Sequence, residues 1–146
     1  MKGFLLDTNL LSEFSRSGFP PDVDVERWME STHPALIFTS VLSIGEICKG
    51  IERLAPGRKR SELEHWLEAE LNGWFGNNLL PVTKAISNRW GMLAAMSEKR
   101  GKQLGNIDGL LAATAIEHDL TVVTRNTLHF ENLGALILNP WKISVS

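Results

Sequence analysis

Asn106-Ile107-Asp108-Gly109-Leu110-Leu111-Ala112-Ala113-Thr114-Ala115-Ile116-Glu117-His118-Asp119-Leu120-Thr121-Val122-Val123-Thr124-Arg125-Asn126 is the stretch whose reading decides the fold. Apolar residues recur at helical spacing as far as Ile116, with Asn106 the expected N-cap and Asp119 the expected stop. Thr121-Val122-Val123-Thr124 follows almost at once and is β-branched throughout, which predicts a short buried strand. That strand runs out into polar Arg125-Asn126. A helix delivered so directly into an apolar strand belongs to an α/β domain with a mainly parallel sheet. The helix is also slim, because Gly109, Ala112, Ala113 and Ala115 allow close packing on that sheet.

The same alternation extends outward in both directions. Downstream, a one-turn helix near Phe130 precedes a strand at Ala135-Leu136-Ile137-Leu138, which Asn139-Pro140 ends. Upstream, Gly3 to Leu6 reads as a first buried strand and Thr8 to Ser15 as a short helix. Asp22 or Asp24 caps a second helix that reaches about Ser31, and Leu36-Ile37-Phe38 reads as a second strand. Thr39 or Ser40 starts a third helix with Val41, Ile44, Ile47, Cys48, Ile51 and Leu54 on one face. One further helix carries Leu63, Trp66, Leu67, Leu71, Trp74 and Phe75, and another carries Ile86, Trp90, Leu93, Ala94 and Met96. Leu79-Leu80 is a brief extended piece between them.

The chain has 146 residues, 43% of them hydrophobic and 22% charged, with a net charge of -2. Length and composition predict one domain over residues 1–146, ordered from close to its start. A lone Cys48 excludes an intrachain disulfide or a Cys-rich zinc site, and the four histidines lack zinc-ligand spacing. A reducing cytosol is the expected compartment. No run approaches the roughly 18 apolar residues of a membrane span. A protein that grips nucleic acid through bulk charge is usually more basic, so any such contact here runs through a local patch or a metal ion.

Three carboxylates stand out by place. Asp7 follows the first strand, and ligands of open parallel sheets bind beyond the carboxyl ends of strands. It is equally an N-cap for the helix that follows. Glu46 lies on its helix away from the apolar face, where pairing with Lys49 or Arg53 is the plain alternative. Asp108 sits in the first turn of a helix, where the macrodipole favours it in any case. Brought together, the three would repel by about 4 kcal/mol per pair at 4 Å and an effective dielectric of 20. A cation relieves that cost, and oxygen ligands suit Mg²⁺ or Mn²⁺.

Leu5-Leu6-Asp7-Thr8-Asn9, Ser43-Ile44-Gly45-Glu46, Ile107 to Ala115, Val123-Thr124-Arg125-Asn126 and the closing Leu138-Asn139-Pro140-Trp141 resemble, in order and at similar spacing, the signature blocks of PIN-domain nucleases. The branch most resembled is the VapC-type toxin of bacterial toxin–antitoxin systems, in its FitB-like and plasmid-stability members. The resemblance implies a three-layer α/β/α sandwich and a Mg²⁺- or Mn²⁺-dependent endoribonuclease that leaves a 5′-phosphate and a 3′-hydroxyl. It implies Asp7, Glu46 and Asp108 as metal-binding acids, with Thr8, Asn9 and Thr124 supporting them. It also implies a homodimer in the bacterial cytoplasm. The implied partner is an antitoxin that inserts a peptide near the acids and carries the operator-DNA contact. One departure is clear: many members carry a fourth acid where this chain has Asn126 or His129, so one firmly bound metal is expected rather than two.

Arg125 adjoins the acids and is the preferred RNA contact over the clusters Arg58-Lys59-Arg60 and Lys99-Arg100 with Lys102. The five tryptophans are expected in core and interface roles, Trp66, Trp74 and Trp90 on apolar helical faces. Two other functions compete with a ribonuclease: a structure-specific DNA nuclease, and a catalytically weak module acting only within an antitoxin–DNA complex. A domain whose three acids are merely caps and surface charges is the plainest alternative.

Overall fold

The computed structural model describes residues 2–15 and 20–142. Five short strands form one parallel sheet: β1 (Phe4–Leu6), β2 (Ile37–Ser40), β3 (Leu79–Leu80), β4 (Thr121–Val123) and β5 (Ile137–Leu138). Their order is β3-β2-β1-β4-β5. β1 is central, with Leu6 registered against Thr39 on one side and Val123 on the other. The chain leaves β1 toward one edge and later returns to its other side, so the β1/β4 boundary is the topological switch point where such sheets open a crevice.

Helices cover both faces. α1 (Thr8–Glu13), α2 (Val23–Ser31), α3 (Val41–Glu52) and α4 (Arg58–His65) precede the second half, in which α6 (Lys84–Lys99) and α7 (Asn106–His118) follow the short α5 (Asn72–Trp74). Strand alternation divides the core in two. Leu5 and Val122 face Ile86 and Leu93 of α6 and Leu111 and Ala115 of α7. Leu6 and Val123 face Leu10, Val25, Ile47 and Trp66 on the other side. This is the expected three-layer α/β/α sandwich. Among the described residues no helix is long and apolar enough to cross a membrane.

Several local expectations need correction. Gly105, not Asn106, caps α7, without a side-chain hydrogen bond; Asn106 is the first helical residue. Asp119 does end it, in the left-handed conformation at φ 55°. The helix expected to carry Leu63 through Phe75 is interrupted by a π-helical turn, Trp66–Leu71, whose wider winding turns Trp66, Leu67 and Leu71 into the core together. Val41 and Cys48 of α3 are exposed, because buried Ser43, Ile47 and Ile51 form the inward stripe instead. Trp74 is also exposed, at 43%, packed edge-on to Phe14 rather than sunk in the core. The first helix stops at Glu13 and the last strand is only Ile137–Leu138. The second strand runs past Phe38 to Ser40, which also caps α3 through its hydroxyl. The expected start at Met1 lies outside the described residues.

Gly109 keeps α7 close to α6. A Cβ there would stand 2.8 Å from Trp90 Cδ1 and 2.9 Å from Leu104 Cδ2. Its slimness therefore serves helix–helix contact rather than the sheet, which the alanines meet.

Candidate active site

Asp7 leaves β1 at its carboxyl end and is held from several directions. Its backbone N–H donates to Val123 O at 3.0 Å, extending the link to β4 by one residue. Oδ1 accepts from Thr8 N at 2.7 Å, which caps α1. Oδ2 accepts from Thr124 Oγ1 at 2.8 Å and from Asn9 Nδ2 at 3.4 Å. Cap and candidate ligand are thus the same carboxylate, and the two readings of Asp7 are not exclusive. The residue is only 6% exposed. Burial pushes its carboxyl above the ordinary range; the hydrogen bonds from Thr124 and Thr8 pull it back, and the charges of Asp108 and Glu46 push it up again.

Thr124 is the hub of the polar network. Its hydroxyl donates to Asp7 and accepts from Asn126 N at 3.0 Å and from Asn9 Nδ2 at 3.5 Å. Asn9 Oδ1 in turn accepts from Arg125 N at 3.4 Å. The adjacency of β1 and β4, which sequence leaves open, is what brings Thr8, Asn9, Thr124, Arg125 and Asn126 to one strand end. The guanidinium of Arg125 lies 5.5 Å from the ring centroid of Trp141, a cation–π contact that holds it at the rim.

Glu46 turns toward this end. Its Oε1 accepts from Thr8 Oγ1 at 2.7 Å, and no ion pair with Lys49 or Arg53 is found among the described residues. Asp108 is partly buried in the first turn of α7, and its Oδ2 lies 3.0 Å from Nδ1 of His129. Sequence reasoning noted His129 only as a non-acidic position. Its contact with Asp108 spans 21 residues and has no local signature. Arg58 and Arg60 are engaged by Glu62, Glu52 and Glu64, so most of that basic cluster is consumed locally.

The carboxylates of Asp7, Asp108 and Glu46 offer oxygen ligands, which suit a hard divalent cation. A buried carboxylate pushed up by burial and by two neighbouring acids is also the group such a cation relieves. The expected three-acid cluster is not assembled as a closed ligand set, however. Among the described residues no three His, Cys, Asp or Glu side chains converge closely enough to hold a metal ion. The reason is visible in the partners: Asp108 is engaged by His129 and Glu46 by Thr8. A shared ion would meet Asp108 through its other oxygen, Oδ1, or in place of His129.

Residues 4–136 match the PIN domain family. The chain is 32% identical to VapC ribonuclease Y4jK of Sinorhizobium fredii, over 94% of this chain and 97% of that one. It is 31% identical to Toxin FitB of Neisseria gonorrhoeae, again over 94% and 97%. Among solved structures, FitAB bound to an IR36 DNA fragment superposes with a TM-score of 0.87 at 29% identity, covering 97% of this chain and 98% of the other.

Proposed function

This chain belongs to the PIN-domain family, and from that premise we propose that it is a metal-dependent endoribonuclease, the toxin of a toxin–antitoxin pair. One observation carries the reading. A buried, hydrogen-bonded Asp7 stands at the sheet's switch point, close enough to Asp108 and Glu46 to feel both charges.

Asp7 and Asp108 would be the principal residues holding Mg²⁺ or Mn²⁺, and Glu46 would either join them or position water. When bound, the ion supplies Lewis acidity toward the phosphate and makes water a better nucleophile near neutral pH. Thr124 and Thr8 fix the two oxygens of Asp7, so the carboxylate does not rotate away from its load. Thr8 also spans from α1 to Glu46, tying the second acid to the first. Asn9 carries the network on to the backbone of Arg125, whose guanidinium, steadied on Trp141, is placed to meet an RNA phosphate. Asn126 adds an uncharged oxygen where a fourth acid is absent, which favours a single tightly held ion.

An antitoxin is the protein partner. A groove of about 360 Å³ between α1, α3 and α4 is lined by Thr8, Glu46, Ile47, Lys59, Leu63 and Trp66. An inserted peptide lying in it would reach Glu46. The chain acts as a homodimer in the bacterial cytoplasm and reaches operator DNA only through the antitoxin. The solved structure of FitAB bound to an IR36 DNA fragment supports an antitoxin partner and DNA binding by the pair. Asn126 and His129 in place of acids, together with the His129–Asp108 contact, favour a catalytically weak binding module instead.

Cleavage assays separate the two. The purified, antitoxin-free chain is incubated with RNA in Mn²⁺, Mg²⁺ or EDTA, beside an Asp7→Ala preparation made identically. Cutting that needs the metal and disappears in the variant is expected. Cutting by both preparations would betray a contaminant. A folded wild type that cuts none of a diverse set of RNAs would overturn the nuclease reading.

A further inference from the structure

Beside the acids lies a cavity of about 380 Å³, between the turn that follows α6 and the one-turn helix Thr127–His129. Asp108 forms part of its wall, so it is continuous with the candidate active site. Its volume is in the range that receives a small molecule or one unit of a polymer.

Leu128 in that wall is 77% exposed, the most exposed of the large hydrophobic side chains among the described residues. Its neighbours commit it outward: Phe130 is fully buried and His129 engages Asp108. Leu104 lines the same cavity and is held firmly, since it abuts α7 so closely that Gly109 has no room for a Cβ. Three leucines, Leu104, Leu128 and Leu133, therefore border a space whose polar members are Ser97, Lys102, Gln103, Asp108, His129 and Glu131. Flat faces with a hydrogen-bonding edge are the chemistry of a nucleobase; unstacked bases of single-stranded RNA are read by hydrogen bonds on those edges, and the leucines offer an apolar surface to the faces. The carboxylates of Asp108 and Glu131 make the cavity a poor place for a second phosphate, so the base enters it rather than the backbone.

We infer that this cavity is a subsite for the base of the nucleotide next to the scissile phosphate, and that Glu131 makes it select a base with an exocyclic amino group over uracil. A carboxylate can only accept, and amino groups such as N4 of cytosine are donors, whereas uracil offers a carbonyl at that position. Lys102 supplies the cation for the adjoining phosphate. The inference rests on the ribonuclease reading above.

The test is an amide NMR titration of the metal-free chain in EDTA with CMP and with UMP. CMP is expected to shift the amides of Gln103, Leu104 and Leu128, and to bind about tenfold more tightly than UMP, the scale of one good base contact. In Glu131→Gln that preference should shrink to within about twofold, because an amide can donate to uracil as well as accept. Leu128→Ala should weaken both nucleotides together. Shifts confined to other parts of the surface, or equal affinities in the wild type, would overturn the subsite. Cleavage of RNA by the same preparations distinguishes the two failures. If CMP occupies the cavity while no RNA is cut in Mn²⁺, the base site stands and the nuclease reading falls. If RNA is cut in an Asp7-dependent way with no base preference beside the cut, the subsite falls and the nuclease stands.

Discussion

A carboxyl as deeply buried as that of Asp7 makes stability depend on pH. Because burial raises its pKa, the folded state prefers it protonated. Its favourable share of stability is therefore present below the ordinary carboxyl value and is lost as pH rises through the raised one. In metal-free protein, Asp7→Asn is expected to remove that dependence, so its Tm gains on wild type from pH 4 to pH 8. Thermal unfolding in EDTA measures the difference, and Mg²⁺ should narrow it by stabilising only the wild type. A Tm difference that does not change with pH would show that the carboxyl carries no such strain. Arg125 gives a second expectation at this scale. Arg125→Ala should weaken RNA binding and lower the salt slope by about one, as for the loss of one phosphate contact. Trp141→Leu should do so in part, and Trp141→Phe, which keeps a ring under the guanidinium, should not. An unchanged slope in Arg125→Ala would remove the residue from the RNA path. The residue types at this site were legible in the sequence. Their hydrogen bonds were not, because Thr124 and Asp7 are 117 residues apart.

At the scale of elements, α7 shows how composition serves contact. Its glycine and alanines predict a close-packed helix, and Gly109 meets Trp90 of α6 and Leu104 while the alanines pack in the core with Leu5 and Val122 of the sheet. Gly109→Ala is accordingly expected to destabilise by about 1–3 kcal/mol through overpacking against Trp90 and Leu104. The roughly 1 kcal/mol gained in helix propensity opposes this, leaving a net loss of up to about 2 kcal/mol. Urea unfolding measures the balance, and a more stable variant would show that Trp90 and Leu104 yield freely. The π-helical turn at Trp66–Leu71 was not legible, because three apolar residues at near-helical spacing look alike whether the winding is α or π. Strand ends were misjudged by a residue or two for a related reason. Where a short strand stops depends on its neighbour in the ladder, and local propensity does not contain the neighbour.

For the whole molecule, activity and restraint use adjoining surfaces if the groove beside Glu46 receives the antitoxin, as proposed. Expression alone should arrest bacterial growth, and Asp7→Ala should abolish the arrest. Coexpression of the cognate antitoxin should lift it. Gly50 lines the groove, and nothing lies within 4 Å of where its Cβ would be. Gly50→Trp should therefore fold and remain toxic while losing much of its rescue, as growth curves with and without antitoxin would show. Full rescue of that variant would move the antitoxin contact elsewhere. The sequence by itself determined the α/β class and the order of the elements and singled out the three candidate acids, because periodicity and motif spacing are local properties of a chain. Only the tertiary structure decided that β1 pairs with β4, that Glu46 turns to Thr8 instead of to solvent, and that His129 engages Asp108. Those contacts join segments distant along the chain, which the strand order of the sheet brings side by side, and no local preference of a residue contains its distant partner.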